Sequence, residues 1–326
     1  MIYDNTTLDR VGDLNKTSGK PRNKHLLRGI IPPLVTPLRD YRTLDVPGLE
    51  TIVERLISGG VHGIFLLGTT GEGPSLSYKM RREIITRVTD QAADRVPIIA
   101  AVTDTSFEES LCLGEFAAEH GCKALVISSP YYHPITQSDL TKYLLHLGDL
   151  SPLPLFMYNM PSHTKTWFEI ETLKEVFPHP NYIGLKDSGG DMDYFSSVSL
   201  LMQKYPELTL LVGPEHLLVS SMKLGGHGGI CGGAHLLPRL FVRIYDAVNA
   251  EDMNLVRQLE QRLTDLGGLY NGFEEASFLG NMKCALALLG ICHGEFAEPL
   301  HTIPTERVAV VQNRLNELGI TANTLE

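Results

Sequence analysis

The chain has 326 residues, of which 43% are hydrophobic and 20% are charged, a balance typical of a globular protein with a large core. A net charge of −10 without a basic cluster argues against nucleic acid and anionic membranes as partners. No apolar run reaches the roughly 18 residues of a membrane helix, and five cysteines without a CxxC pair indicate reduced thiols in a cytoplasmic protein.

The chain begins with a polar segment of mixed charge, and we interpret residues 1–27 as an extension to the folded part. The segment lacks the apolar core of a secretory signal. Its acidic residues Asp4, Asp9 and Asp13 argue against an organelle transit peptide.

Beyond residue 28 the sequence repeats one unit, a short apolar run followed by small or polar residues and an amphipathic stretch of helical length. The predicted strands are Ile30–Pro37, Gly63–Gly68, Pro97–Val102, Ala124–Ser129, Pro154–Asn159, Tyr182–Asp187, Thr209–Gly213 and Gly228–Gly233. Asp45–Ser58 and Tyr78–Ala93 are two of the predicted helices. Continuous apolar strands that alternate with helices indicate a parallel sheet covered on its faces. Eight such units over residues 28–250 predict an α/β fold, the (β/α)8 TIM barrel.

An open, doubly wound sheet is the alternative fold. Such a sheet typically has a glycine-rich loop after its first strand and an acidic residue about 20 residues later. Here the first predicted strand ends in Thr36, Pro37 and Leu38, without that loop. The sequence therefore favours the barrel.

Strand patterns end near residue 250, and residues 251–326 contain three predicted helical segments. In the last segment Val308, Val311, Leu315 and Leu318 share one face, and Gly319 is a candidate C-terminal cap. We expect this C-terminal helical region to pack as a small appendage on the barrel or on a partner chain.

The most informative residue is Lys186, which interrupts the sixth apolar strand near its carboxyl end, where such barrels place their reactive groups. The two-residue repeat of a strand turns Gly184 and Lys186 toward the barrel interior, and Ile183 and Leu185 toward the helices. Burial disfavours the ammonium form, and a neutral amine attacks a ketone to form an imine. A lysine paired with Asp187 is the alternative interpretation.

Three hydroxyl groups are predicted to lie near this lysine, because Thr69, Tyr132 and Tyr158 are placed at the ends of neighbouring strands. Imine formation requires proton transfers that hydrogen-bonded hydroxyls can supply. Each residue could equally be a packed residue of the barrel interior. Their convergence with Lys186 favours catalysis.

Two glycine-containing segments are candidate ligand contacts. Residues 68–72 (Gly-Thr-Thr-Gly-Glu) can hold a carboxylate on backbone N–H groups, although the pattern also suits a helix N-terminus. Residues 225–229 (Gly-Gly-His-Gly-Gly) could bind a phosphate or let the backbone approach the substrate. No metal site is predicted, because the spacing around His227 is not that of metal ligands.

Together these motifs resemble those of the dihydrodipicolinate synthase / N-acetylneuraminate lyase family, from about residue 28 to the C-terminus. The resemblance rests on Gly-Thr-Thr-Gly-Glu at 68–72, Pro-Tyr-Tyr at 130–132, Tyr-Asn-Met-Pro-Ser at 158–162, Gly-Leu-Lys-Asp-Ser-Gly at 184–189 and Leu-Gly-Gly-His-Gly at 224–228. It implies a lyase that acts on pyruvate or a pyruvate-derived 2-keto acid by a class I aldolase mechanism. The covalent lysine imine would take the place of a cofactor.

The resemblance also assigns roles to residues. Lys186 would form the Schiff base, and Tyr158 would be the general acid and base. Thr69 would link Tyr158 to Tyr132, which would reach the site of a neighbouring subunit. A homodimer or a homotetramer, built as a dimer of dimers, is implied as well.

Substrate choice depends on further positions. The resemblance implies that Thr70 holds the keto-acid carboxylate and that the Ile230 carbonyl lines the pocket. Family synthases place an arginine after Tyr-Asn-x-Pro-Ser to bind the carboxylate of aspartate semialdehyde, whereas this sequence has His163, which lacks the bidentate fork. Residues 186–188 (Lys-Asp-Ser) resemble those of family members that cleave or dehydrate 2-keto-3-deoxy sugar acids or 4-hydroxy-2-oxoglutarate, and we favour cleavage or condensation of such a substrate. His163, Ser188 and Glu215 are the candidates for substrate selection.

Other functions stay open at this point. Within the family the alternatives are a 4-hydroxy-tetrahydrodipicolinate synthase, which joins pyruvate to aspartate semialdehyde, and a 2-keto-3-deoxy acid dehydratase. Outside it are a metal-dependent barrel aldolase or isomerase and a non-catalytic keto-acid sensor. The set of Lys186, Tyr158 and Tyr132 argues against the sensor, because a protein that only binds needs no proton relay. The expected partners are a small 2-keto acid and an aldehyde.

Overall fold

The computed structural model describes residues 27–270 and 278–326, so the extension predicted for residues 1–27 lies outside the described residues except for Leu27. In chain order the strands are β1 (Gly29–Ile30), β2 (Leu38–Asp40), β3 (Thr43–Leu44), β4 (Ile64–Leu66), β5 (Ile98–Ala101), β6 (Ala124–Ser128), β7 (Leu155–Asn159), β8 (Tyr182–Asp187), β9 (Thr209–Val212) and β10 (Gly228–Gly229). Strands β2 and β3 form an antiparallel hairpin that the sequence analysis did not predict.

The other eight strands form one parallel sheet in the order β1-β10-β9-β8-β7-β6-β5-β4. A parallel bridge between Pro33 and Phe65 joins the two ends of this sheet. The Leu34 N–H donates to the Phe65 carbonyl at 2.7 Å, and the Phe65 N–H donates to the Pro32 carbonyl at 2.9 Å. The sheet is therefore closed, and the predicted (β/α)8 barrel is confirmed.

The helices surround this barrel and continue beyond it. They are α1 (Val46–Ser58), α2 (Tyr78–Ala92), α3 (Phe107–Glu119), α4 (Gln137–Leu150), α5 (Pro161–Thr164), α6 (Ile170–Val176), α7 (Met192–Met202), α8 (Leu218–Lys223), α9 (Pro238–Asn249), α10 (Met253–Gly267), α11 (Phe278–Leu288) and α12 (Thr305–Glu317). Among the residues that the structure describes, no helix is both long and apolar enough to cross a bilayer.

Local capping explains where several barrel helices begin. The hydroxyls of Ser77, Ser106 and Thr136 accept hydrogen bonds from backbone N–H groups of the first turns of α2, α3 and α4. Each hydroxyl satisfies an N–H that the helix itself leaves without a partner. These helices start 6 to 12 residues after the preceding strands end, and the intervening loops are left to form the site.

The C-terminal helical region consists of α10, α11 and α12. Val311 and Leu315 of α12 are buried, and Gly319 follows this helix with φ of 64°, which confirms it as the predicted cap. The division of the chain after residues 27 and 250 stays a prediction.

Strand β8 departs from the predicted alternation. Its register with β7 shifts between Leu155, which pairs with Tyr182, and Phe156, which pairs with Gly184. This bulge leaves Ile183 inside the barrel, where it packs with the interior cluster. The prediction that Ile183 faces the helices was wrong for this reason. Beyond the bulge the two-residue repeat holds, and Lys186 faces the interior as predicted.

Candidate functional site

Lys186 lies near the carboxyl end of β8 and is only 4% exposed. Its Nζ lies 3.8 Å from the ring centroid of Tyr158 and 5.3 Å from that of Phe65. Its amine makes no hydrogen bond or salt bridge with any residue that the structure describes. A buried amine against aromatic rings is a chemically available nucleophile once it loses its proton.

The neighbouring carboxylate of Asp187 points elsewhere. It accepts hydrogen bonds from Asn159 Nδ2 at 2.7 Å and from the Gly189 N–H at 3.1 Å. Burial raises the pKa of this carboxyl group, and the hydrogen bond from Asn159 acts in the opposite direction. No salt bridge joins the side chains of Lys186 and Asp187, so the alternative interpretation of Lys186 as an ion-paired residue loses its basis.

A hydroxyl pair lies beside the lysine. Tyr158, on the inward face of β7, has its Oη 3.2 Å from Oγ1 of Thr69, in the turn after β4. The edge of the Phe65 ring packs against the Tyr158 ring at an interplanar angle of 88°. Strands β4 and β7, which are separated by β5 and β6 in the barrel, thus bring one phenol and one alcohol together next to Lys186.

Tyr132 is placed differently from the other predicted site residues. It is 85% exposed, has a left-handed backbone with φ of 87°, and packs edge-on only against the adjacent His133 ring among the described residues. Within one chain it does not join Thr69 and Tyr158. Its predicted role in a neighbouring subunit stays a prediction.

A cavity of about 890 Å³ opens at the carboxyl ends of the strands. Eight of the nine predicted site residues line it, namely Thr69, Thr70, Tyr158, His163, Lys186, Ser188, Glu215 and Ile230. Residues of the C-terminal helical region, including Leu263 and Tyr270, form the far wall of the cavity. The barrel and this region therefore share the site.

The turn at residues 68–72 lines this cavity and does not cap α2, which begins at Tyr78 after the N-cap residue Ser77. Leu67 and Glu72, at its two ends, have left-handed backbones with φ of 61° and 55°. A side chain at Gly73 would overlap the Leu67 carbonyl oxygen. The turn is tight and conformationally strained, and it holds Thr69 and Thr70 at the cavity.

Glu215 is bound on both carboxylate oxygens. Tyr270 Oη donates to Oε1 at 2.5 Å, and the Gly233 N–H donates to Oε2 at 2.7 Å. Burial raises the pKa of the Glu215 carboxyl group, and the hydrogen bond from Tyr270 acts in the opposite direction. The sequence analysis selected Glu215 but not Tyr270, because no motif near residue 270 indicates that this side chain packs against the barrel.

His163 occupies the short helix α5 at the mouth of the cavity, where its Nδ1 lies 3.0 Å from Ser162 Oγ. Partial desolvation lowers the pKa of His163, and the positive charges of Lys165 and Lys186 lower it further. The ring is therefore neutral near pH 7 and offers no positive charge to a substrate carboxylate.

The most deeply buried ionic contact near the site escaped the sequence analysis. Glu72 and Lys283, both with 0% side-chain exposure, form a salt bridge of 2.5 Å between Oε1 and Nζ. Burial lowers the pKa of Lys283, while the Glu72 carboxylate acts in the opposite direction. The available signal was a single charged residue, Lys283, within the mainly apolar helix α11.

The glycine-rich segment at residues 225–229 does not reach the cavity. It consists of β10 and the three residues before it, at the amino end of the barrel, where Gly228 has φ of 130° and a side chain would overlap the backbone of Gly29. His227 Nδ1 accepts a hydrogen bond from the Leu210 N–H at 3.0 Å. The predicted substrate contact is therefore not found, the phosphate contact stays a prediction, and the glycines allow β10 to approach β1.

Comparison with known proteins supports this description. A model of the dihydrodipicolinate synthetase family matches residues 26–318. The 4-hydroxy-tetrahydrodipicolinate synthase of Methanopyrus kandleri is 31% identical over 299 residues, which cover 90% of this chain and 97% of that protein. The structure of dihydrodipicolinate synthase from Bacteroides thetaiotaomicron has a TM-score of 0.86 and 43% identity, over 90% of this chain and 99% of that one. YagE of E. coli K12, a prophage protein solved in complex with pyruvate, has a TM-score of 0.85 and 26% identity, over 90% of this chain and 99% of that one.

Proposed function

The chain belongs to the dihydrodipicolinate synthetase family and is a lyase, and we propose that it forms a Schiff base between Lys186 and a 2-keto acid such as pyruvate. The observation that carries this proposal is the buried amine of Lys186, which lies against Tyr158 in a large cavity without a hydrogen bond or salt bridge to a described residue. An amine attacks a carbonyl carbon with its nitrogen lone pair, so an amine that no described residue binds suits this role.

The proposed reaction begins when the Nζ lone pair of Lys186 attacks the C2 carbonyl carbon. Tyr158 donates the proton that allows the carbinolamine oxygen to leave as water, and the Thr69 hydroxyl orients the phenol. Thr70 and backbone N–H groups of the turn hold the substrate carboxylate.

The iminium then accepts the electron pair of the C3–C4 bond as that bond breaks. The C4 hydroxyl gives its proton to the Tyr158 phenolate, so an aldehyde leaves, and Tyr158 then returns this proton to C3 of the remaining enamine. Hydrolysis of the imine releases pyruvate and the free lysine, and the reverse sequence is a condensation. Because the imine is the electron sink, this reaction requires no further cofactor.

For the substrate we favour a 2-keto-3-deoxy sugar acid or 4-hydroxy-2-oxoglutarate. The neutral His163 provides no bidentate charged pair for the carboxylate of aspartate semialdehyde, the second substrate of the synthases. Glu215 and Ser188, at the wall of the cavity, offer oxygen atoms that suit substrate hydroxyl groups.

The second candidate is a 4-hydroxy-tetrahydrodipicolinate synthase. It is favoured by the names of the relatives from Methanopyrus kandleri and Bacteroides thetaiotaomicron. The two candidates share the Schiff base of Lys186 and differ in the aldehyde, so the second substrate distinguishes them.

Reduction with borohydride tests the shared step. Incubation with pyruvate and borohydride should attach a reduced pyruvyl group to Lys186, because hydride reduces the imine to a stable amine. Peptide mass spectrometry identifies the modified lysine, and protein treated without pyruvate is the control. Absence of an adduct with pyruvate and with larger 2-keto acids would contradict the proposal.

The exchange His163→Arg tests the choice of aldehyde. We expect kcat/KM for aspartate semialdehyde to rise by about tenfold or more, because a bidentate pair with a carboxylate is worth roughly 2 kcal/mol. Steady-state rates with pyruvate and aspartate semialdehyde measure the change. The variant His216→Arg adds the same charge elsewhere at the cavity and should give no such gain. Efficient use of aspartate semialdehyde by the unchanged protein would favour the synthase instead.

We also propose that the active form is a homodimer or a homotetramer. The support is Tyr132, a large side chain left 85% exposed at the edge of the catalytic face in the isolated chain. A second copy would cover this ring and could receive its hydroxyl in the neighbouring site.

A further inference from the structure

The salt bridge between Glu72 and Lys283 connects two parts of the molecule that are 211 residues apart in sequence. Glu72 ends the turn that carries Thr69 and Thr70, and Lys283 belongs to α11 of the C-terminal helical region. Neither side chain has any exposed surface. A fully buried ion pair contributes little net stability compared with a well-packed apolar pair, so its presence calls for another explanation.

Both carboxylate oxygens of Glu72 accept hydrogen bonds from the C-terminal part of the chain. Oε1 accepts from Lys283 Nζ at 2.5 Å, and Oε2 accepts from the Ala297 N–H at 2.8 Å. Lys283 also donates to the Glu295 carbonyl, and its Nζ lies 4.5 Å from the centroid of the Phe296 ring. The carboxylate of Glu72 is therefore held on two sides by α11 and residues 295–297.

The turn that Glu72 ends requires such support. Its backbone is left-handed at Leu67 and at Glu72, neither of which is glycine. A non-glycine residue in this conformation persists where its surroundings hold it there. Within the barrel, the turn is held by hydrogen bonds such as that from Thr36 Oγ1 to the Gly71 carbonyl at 2.7 Å. The salt bridge adds a contact from outside the barrel.

From these contacts we infer that Lys283 and Glu72 are positioning residues that hold the turn at residues 68–72 in its substrate-binding shape, so that the C-terminal helical region sets the affinity for the keto acid. The inference rests on the proposed function, in which this turn binds the keto-acid carboxylate. Loss of Lys283 relaxes the turn, and the hydroxyl of Thr70 and the backbone N–H groups then no longer converge on the carboxylate.

The test uses the full chain and pyruvate with borohydride, and it measures the pyruvate concentration that gives half-maximal labelling of Lys186. In Lys283→Met we expect this concentration to rise by about tenfold or more, since charge-assisted hydrogen bonds to the carboxylate are misaligned. The double variant Glu72→Gln with Lys283→Met removes both buried charges, which favours folding, and should show the same rise.

The matched control is Arg55→Met. Arg55 is also a buried cation that joins the barrel to the end of the chain, through hydrogen bonds to the carbonyls of His235 and Ala322, but it does not line the cavity. This variant should lose thermal stability while its half-maximal pyruvate concentration stays within about twofold of the original value.

The outcomes separate the two proposals. No labelling of Lys186 in the unchanged protein overturns the proposed function, and the present inference with it. The inference alone is overturned if the unchanged protein is labelled and the half-maximal pyruvate concentration is unaltered in Lys283→Met or in the double variant. Circular dichroism has to show that the variant is folded. An equal rise in Arg55→Met also overturns it, because general loosening would then explain the effect.

Discussion

Replacement of Lys186 by alanine should reduce turnover of the 2-keto acid by roughly 10⁴-fold or more, because no other group in the cavity can form the proposed imine. The fold should survive, since Lys186 makes no hydrogen bond or salt bridge to a described residue that the exchange would break. Steady-state kinetics and circular dichroism measure the two effects. The volume-matched variant Lys186→Met should be equally inactive, with a free energy of unfolding within about 1 kcal/mol of the original.

A surface lysine provides the control for this prediction. Lys142 on α4 has 74% of its side chain exposed, and Lys142→Ala should keep full activity and full labelling by pyruvate and borohydride. Full turnover in either Lys186 variant would contradict the Schiff-base mechanism and would shift attention to metal-dependent or non-catalytic functions.

The exchange Tyr158→Phe should lower kcat by about 10² to 10³-fold, because the phenol is the proposed proton donor and acceptor. Binding of the keto acid should change little, since the ring still packs against Phe65 and the amine of Lys186. Single-turnover kinetics separate the chemical step from binding. If affinity and rate fell together, the hydroxyl would have a structural role instead.

Tyr182→Phe is the matched control on the adjacent strand. Tyr182 faces the helices, and its hydroxyl donates to the Leu144 carbonyl at 2.7 Å. Its removal leaves a buried carbonyl without this partner and should cost about 1 to 2 kcal/mol of stability with kcat unchanged. Comparison of the two variants therefore distinguishes the effect of the inward-facing Tyr158 hydroxyl on β7 from that of the outward-facing Tyr182 hydroxyl on β8.

Much of the barrel could be predicted because each strand is short, apolar and followed by an amphipathic helix. Strands β5 to β9 lie within the predicted segments, whereas the first predicted strand was too long. Pro32 and Pro33 cannot donate to a ladder, and only a single bridge forms there. The bulge at Ile183 was not predictable, because an extra residue in one strand is defined by the register of its neighbour.

The site could be predicted only in part, for a related reason. Lys186, Tyr158 and Thr69 lie at strand ends. Because such barrels place reactive groups at the carboxyl ends of their strands, this position was enough to predict that the three residues lie together. Tyr270, in the turn after α10, and Lys283 of α11 belong to a region whose packing on the barrel depends on many weak apolar contacts that no local pattern encodes. The exposed position of Tyr132 follows from its left-handed backbone, which nothing in Pro-Tyr-Tyr indicates.

The way in which the barrel closes has a consequence for its synthesis on the ribosome. Strand β1 pairs with β10 through Gly29 and Gly228, so its second partner is made about 200 residues after it. Until then a nascent chain carries two unpaired strand edges, which are templates for intermolecular pairing. Truncated chains that end before β10 are therefore expected to aggregate, and cellular yield will depend on how long chaperones shield those edges.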